Sequence, residues 1–63
     1  MRNEVRALRQ ARGWTQKEMA ERLAVSRQTV IAIERGRYDP SLPLAFTIAA
    51  QFERRIEEIF HPE

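Results

Sequence analysis

The sequence predicts an all-α fold of five short helices. Two observations carry this. Helix-forming residues dominate the 63-residue chain, and no stretch keeps a period-2 alternation of apolar and polar residues for long. The two glycines and three prolines sit at or beside the places where helical patterns break. No repeat, low-complexity run or linker divides the chain, so residues 1–63 are expected to form one compact domain.

The first helix is expected from an Asn3 cap to about Arg12. Val5 and Leu8 share its inner face, and Arg2, Arg6, Arg9 and Arg12 are spaced around it. Gly13 can take the left-handed conformation that ends a helix. Trp14 then falls between two helices, where its expected role is a lid over the core. Thr15 and Glu18 stand three apart as a capping box for the second helix, which runs to about Leu23 with Met19, Ala20 and Leu23 inward. Ala24 and Val25 make the turn. Ser26 caps a third helix to about Arg35, with Val30 and Ile33 inward and Gly36 as the stop.

Arg37 to Pro40 reads as a loop, because Pro40 bars a helical Asp39. Ser41 is the expected cap of a fourth helix, although Pro43 disfavours a helical Leu42. Ala45, Ile48, Ala49 and Phe52 form its buried stripe. A fifth helix, about Arg55 to Phe60, brings Ile56, Ile59 and Phe60 together. His61 to Glu63 reads as a solvated tail.

Composition excludes several classes. A chain this short buries only about 60 % of its unfolded surface, so it depends on close helix packing, a partner subunit, or both. It has no cysteine and one histidine, which leaves no disulfide and no ligand set for a zinc site. No apolar run approaches the ~20 residues that span a bilayer, and the N-terminus does not read as a signal peptide. The chain is therefore expected to be soluble and cytoplasmic, without a membrane segment. No catalytic residue, metal or cofactor is expected. A nucleophilic cysteine is missing, His61 lacks an evident triad partner, and Glu57 and Glu58 point in different directions on a helix.

Charge is more informative. The chain carries 11 basic and 9 acidic residues, net +2, with a pI near 9.9. Residues 1–38 hold nine of the basic and four of the acidic residues. Only Arg54 and Arg55 are basic after that, against five acidic residues. A basic first part and an acidic tail imply a polyanionic partner for one face alone.

The span from Gln16 to Arg35 places two short capped helices across a tight turn, with small Ala20 at their crossing. One face of the second of these helices stays free. It carries Arg27, Gln28, Ile31, Ala32 and Arg35. Such a helix fits the major groove of B-form DNA. Arginine can bridge the two acceptors of guanine, glutamine can pair with adenine, and an aliphatic side chain can touch a thymine methyl.

The ordered residues also resemble a known family. The text Arg9, Arg12-Gly13-Trp14-Thr15-Gln16-Lys17-Glu18-Met19-Ala20, then Leu23-Ala24-Val25-Ser26-Arg27-Gln28-Thr29-Val30, then Ile33 to Leu42 is similar to the phage-repressor and Cro type of helix-turn-helix, the Xre family of regulators. Ile48-Ala49 and Ile56 to Phe60 fit the same pattern. The resemblance implies a five-helix, lambda-repressor-like domain that binds double-stranded DNA. It implies that Gln16 holds a phosphate and that Arg27, Gln28, Ile31 and Ala32 face base edges. It implies that Thr29, Arg35 and Arg37 lie near the DNA backbone, and that Arg9 and Glu34 form a structural ion pair. The chain departs from the family at Ala24, usually glycine, at Glu53, usually glycine or asparagine, and at Arg55, where a capping hydroxyl is common. Phe46 stands at a commonly polar or aliphatic site. These departures make the junction after the fourth helix atypical and leave open that this helix runs on towards the fifth.

One domain offers few phosphate contacts and about four base-reading side chains, whereas specific affinities near 10⁻⁸ M or tighter usually need more. A two-fold dimer places two recognition helices about 34 Å apart. Phe46, Phe52, Ile59 and Phe60 are the expected interface, the alternative being that they close the protomer's own core. The function expected from the sequence is a homodimeric repressor on a palindromic operator. A second reading is a protein-interaction module that pairs with a toxin or a co-regulator.

Overall fold

Local signals set most of the architecture. The computed structural model describes residues 1–62, and Glu63, the end of the expected tail, lies outside them. Among the described residues there are five helices and two short strands. They run in the order β1 (Arg2–Asn3), α1 (Val5–Ala11), α2 (Gln16–Leu23), α3 (Arg27–Glu34), α4 (Leu42–Phe52), α5 (Ile56–Ile59) and β2 (Phe60–His61).

The helix starts follow the capping chemistry. The Thr15 side chain accepts from Glu18 N–H at 3.0 Å, and the Glu18 carboxylate accepts from Thr15 N–H at 2.9 Å. Ser26 Oγ accepts from Thr29 N–H at 3.1 Å, and Ser41 Oγ from Leu44 N–H at 3.3 Å. Pro43 is tolerated in the first turn of α4, where a missing N–H leaves no helical bond unmade. Glu18 is held below its ordinary pKa by the hydrogen bonds from the Thr15 backbone and then its side chain, with a smaller attraction to Arg22.

The helix stops share one geometry. After α1, α2, α3 and α4 a left-handed residue follows: Gly13, Ala24, Gly36 and Glu53. At each stop the following N–H reaches back five residues, for example Val25 to Ala20 O at 3.0 Å and Arg54 to Ala49 O at 3.1 Å. Ala24 adopts φ 56° and Glu53 φ 55° without being glycine. At Gly36 the need is also steric, since a Cβ would stand 3.0 Å from the Met1 carbonyl oxygen.

Expectations about the chain ends and the end of the fourth helix are corrected. Asn3 does not occupy the cap position, which falls to Glu4. Asn3 lies in a strand, and from there its Oδ1 accepts from Val5 N–H at 3.0 Å while its Nδ2 donates to Ile33 O at 2.8 Å. The last helix ends at Ile59, because Phe60 is extended and pairs with Asn3 as His61 pairs with Arg2. His61 is therefore no free tail residue: its Nε2 lies 2.8 Å from Glu4 Oε2. The fourth helix does not run on, because Glu53 turns left-handed and stops it at Phe52.

The core lies where the helices converge. Val5, Met19, Val30, Ile33, Ile48 and Ile59 are fully enclosed, and Ala20 and Ala49 are small enough for helices to approach closely. Trp14 covers one side, stacked on Phe52 with ring centroids 5.5 Å apart and with the Arg22 guanidinium 4.1 Å from its own centroid. This packing also corrects the expected dimer surface. Phe52, Ile59 and Phe60 are buried within the protomer and present nothing to a second copy. In a chain with so little interior, these large side chains are needed to fill it. Of the four, only Phe46 is exposed, at 59 %, with Leu42 one turn away at 64 %.

Candidate nucleic-acid interface

The site is built on α3. Val30 and Ile33 pin one side of this helix into the core. A helix pinned along one stripe must show its other side to solvent. On that side Arg27 and Gln28 are exposed, and Ile31 and Ala32 are half-buried. Arg35 follows at the end of the helix and is exposed. The residues expected to face base edges therefore share one surface, at the start and middle of α3.

The surrounding groups differ in freedom. Arg6, Gln16, Arg27, Ile31 and Arg35 line one cleft between α1, α2 and α3, with Arg9 and Glu34 in its wall. Arg9 is not free for a ligand. Its Nε donates to Glu34 Oε2 at 2.6 Å, its Nη2 to Glu34 Oε1 at 3.3 Å and its Nη1 to Trp14 O at 2.8 Å. Gln16 opens α2, and its Nε2 donates to Glu34 Oε1 at 3.3 Å. Arg27 Nη2 donates to Gln16 Oε1, also at 3.3 Å. Thr29 sits at the mouth of α3, its hydroxyl 2.9 Å from Ser26 Oγ. Arg37 is exposed, but its N–H is tied to Ala32 O at 3.0 Å, so the base of this side chain is fixed against the end of α3.

The cleft has the chemistry of an anion-binding surface. Arg6, Arg27 and Arg35 are exposed around it, while the one carboxylate in its wall, Glu34, is paired with Arg9. Exposed guanidinium groups beside a groove-sized helix favour a phosphate backbone. Arg6 was missed as a site residue in sequence reasoning. Its signal was the spacing Arg2, Arg6, Arg9, which puts arginines on adjoining faces of one helix, but only the packing of α1 on α3 shows which of them reaches the cleft.

The helix-turn-helix family model matches residues 5–59 of the chain. The chain belongs to this family. Helix-turn-helix proteins of this type are DNA-binding transcriptional regulators. The chain is 53 % identical, over 60 residues, to an uncharacterised HTH-type transcriptional regulator of Methanocaldococcus jannaschii, a match covering 95 % of this chain and 91 % of that one. Its fold is similar to that of a restriction-modification controller protein of Aeromonas hydrophila, with TM-score 0.78, 30 % identity, and coverage of 89 % of this chain and 85 % of that one. It is also similar to a hypothetical transcription factor of Neisseria, with TM-score 0.76 and 30 % identity. That match covers 86 % of this chain but only 61 % of the longer Neisseria protein.

Two features of this helix-turn-helix stand apart from the family pattern. Its turn uses left-handed Ala24 in place of glycine, held by the reach of Val25 N–H to Ala20 O. Its α5 is capped by Arg55, where Glu58 Oε1 accepts from Arg55 N–H at 2.8 Å, the carboxylate half of a capping box, while Glu58 N–H, which a capping hydroxyl would take, donates to Arg55 O at 3.0 Å. Among the described residues no group of His, Cys, Asp and Glu is placed to hold a metal ion, and no helix is long and apolar enough to cross a membrane.

Proposed function

We propose that this chain is a sequence-specific transcriptional repressor that binds a palindromic operator as a homodimer, with α3 of each copy in the major groove. The observation that supports this most is the exposed side of α3, where Arg27 and Gln28 stand together beside half-buried Ile31 and Ala32. Those are two hydrogen-bonding readers and two apolar surfaces on one face. Gln16, Thr29, Arg35 and Arg37 border it and take the DNA backbone. They set register and orientation but read no sequence. The reading is of a single domain over residues 1–63, acting by occupancy without catalysis.

The dimer rests on separate grounds. One α3 reads only a few base pairs, and a second copy doubles the contacts. Leu42 and Phe46, one turn apart on α4, are the most exposed large apolar side chains among the described residues and offer a surface for pairing. Selection of bound sequences from a random duplex pool tests the proposal, with the mass of the complex measured on the enriched site. An inverted repeat holding two chains is the expected result. Enrichment of an unrepeated site holding one chain would overturn the homodimer. Weak, salt-sensitive binding with no enrichment would overturn sequence recognition altogether.

A further inference from the structure

Arg9, Glu34, Gln16 and Arg27 form a single run of hydrogen bonds, from the interior to the surface expected to read DNA. The chemistry of its members gives the run a direction. A carboxylate only accepts hydrogen bonds and a guanidinium only donates them. A glutamine amide does both, and its two ends look alike. Here the ends are assigned by their neighbours. Glu34 Oε1 requires an N–H, so Gln16 must turn Nε2 towards it. Arg27 Nη2 requires an acceptor, so Gln16 must turn Oε1 towards it. Reversing the amide would set oxygen against oxygen at one end and N–H against N–H at the other.

We propose that Glu34 is a positioning residue for base recognition: through Gln16 it sets where the Arg27 guanidinium is held. The inference rests on Arg27 reading a base, as argued above, and adds a residue that touches no DNA. Arg27 is exposed and has a long flexible side chain, so without a neighbour it would sample many rotamers. Bidentate contact with a guanine edge needs the guanidinium in one plane, and ordering it beforehand lowers the cost of binding. Glu34 can serve as the fixed end because its side chain is only 3 % exposed and Arg9 holds both of its oxygens. The two outer links are 3.3 Å each, long for charge-assisted bonds. Such links orient the arginine and still yield when DNA arrives. Gln16 also keeps a second Nε2 hydrogen for a phosphate.

The readout is a ratio of affinities. Arg27→Ala first identifies the base pair whose preference disappears. Two operators differing only at that pair are then bound by the wild type, Glu34→Gln, Gln16→Met and the double variant, all at a temperature where circular dichroism shows them folded. Glutamine at position 34 still accepts from Arg9 but no longer dictates which end of Gln16 faces it. The expected result is that Glu34→Gln and Gln16→Met each reduce the ratio by about threefold to tenfold, a fraction of what loss of the arginine itself costs. The double variant is expected to lose no more than Gln16→Met alone. A merely structural role would lower both affinities together and leave the ratio unchanged, and that result overturns the proposal. If Arg27→Ala alters no preference, the base-reading assignment itself fails. If Glu34→Gln does not fold, the Gln16 side-chain amide of the wild type decides by NMR. Slow exchange with solvent supports the link to the carboxylate, and fast exchange overturns it.

Discussion

Arg9 and Glu34, 25 residues apart in sequence, meet with Nε and Oε2 2.6 Å apart. Their side chains retain 11 % and 3 % exposure, so the pair joins α1 to the end of α3 largely out of water. Removing one partner from such a pair leaves an uncompensated charge and costs about 3–5 kcal/mol. A domain of this size seldom holds more than that in total. Glu34→Ala is therefore expected to be mostly unfolded in water at 25 °C, as read by circular dichroism and urea titration. Arg9→Met combined with Glu34→Leu removes both charges and is expected to recover most of the stability. A double variant as unstable as the single would assign the loss to the bonds with Trp14 and Gln16 instead.

Base readers and backbone holders are expected to separate in their response to sequence and salt. Arg27→Ala or Gln28→Ala should cost about 1–3 kcal/mol and relax preference at particular base pairs. Arg37→Ala should weaken binding to every duplex alike and reduce the salt slope by about one. Competition binding across operator variants at several salt concentrations distinguishes them. Equal losses on all sequences for all three changes would contradict the division of roles.

The left-handed Ala24 predicts a stabilising substitution. A side chain at φ 56° meets the backbone unfavourably, at about 1–2 kcal/mol. Glycine avoids this but loses about 0.5–1 kcal/mol through its freer unfolded chain. Ala24→Gly is thus expected to raise stability by about 0.5–1 kcal/mol, measured as a higher urea midpoint with an unchanged slope. A lower midpoint would mean that the turn does not carry left-handed strain.

Acid should weaken the start of α2. The Glu18 pKa is lowered in the folded protein, chiefly by hydrogen bonds with Thr15. At acid pH the unfolded chain therefore binds the proton more readily than the folded one. The stabilisation is complete above the ordinary value of 4.5 and is lost as pH falls through the depressed folded value. Glu18→Gln can keep the capping geometry but does not titrate. Its melting temperature is expected to fall less than that of the wild type between pH 6 and pH 3. Parallel curves would remove Glu18 as a source of acid sensitivity.

Phe46 provides the test of the proposed dimer. It is 59 % exposed, so Phe46→Lys should leave the melting of the protomer nearly unchanged. Sedimentation of the variant is expected to show a weaker dimer, and operator binding to become less cooperative. Unchanged association would place the contact elsewhere on the surface.

Much of the molecule was legible because its signals are local. Thr15 with Glu18, Ser26 and Ser41 each satisfy an N–H within the next turn, so these helix starts could be read from a few neighbouring residues. The inward stripe of Val30 and Ile33 follows from helical periodicity and leaves Arg27 and Gln28 outside. The stops at Ala24 and Glu53 were harder. Neither residue prefers a left-handed backbone, and each is held there by hydrogen bonds to the turn before it.

The sequence by itself determined where α2, α3 and α4 begin, which faces turn inward and which side of α3 stays exposed, because capping and periodicity act over one or two turns. Only the tertiary structure decided what depends on residues far apart. The pairing of Asn3 with Phe60 drew Phe60 out of the last helix, and core closure consumed Phe52, Ile59 and Phe60. The crossing of α1, α2 and α3 brought Arg9, Glu34, Gln16 and Arg27 into one run. Those outcomes depend on how helices pack in space, and no spacing along the chain encodes the angle at which they cross.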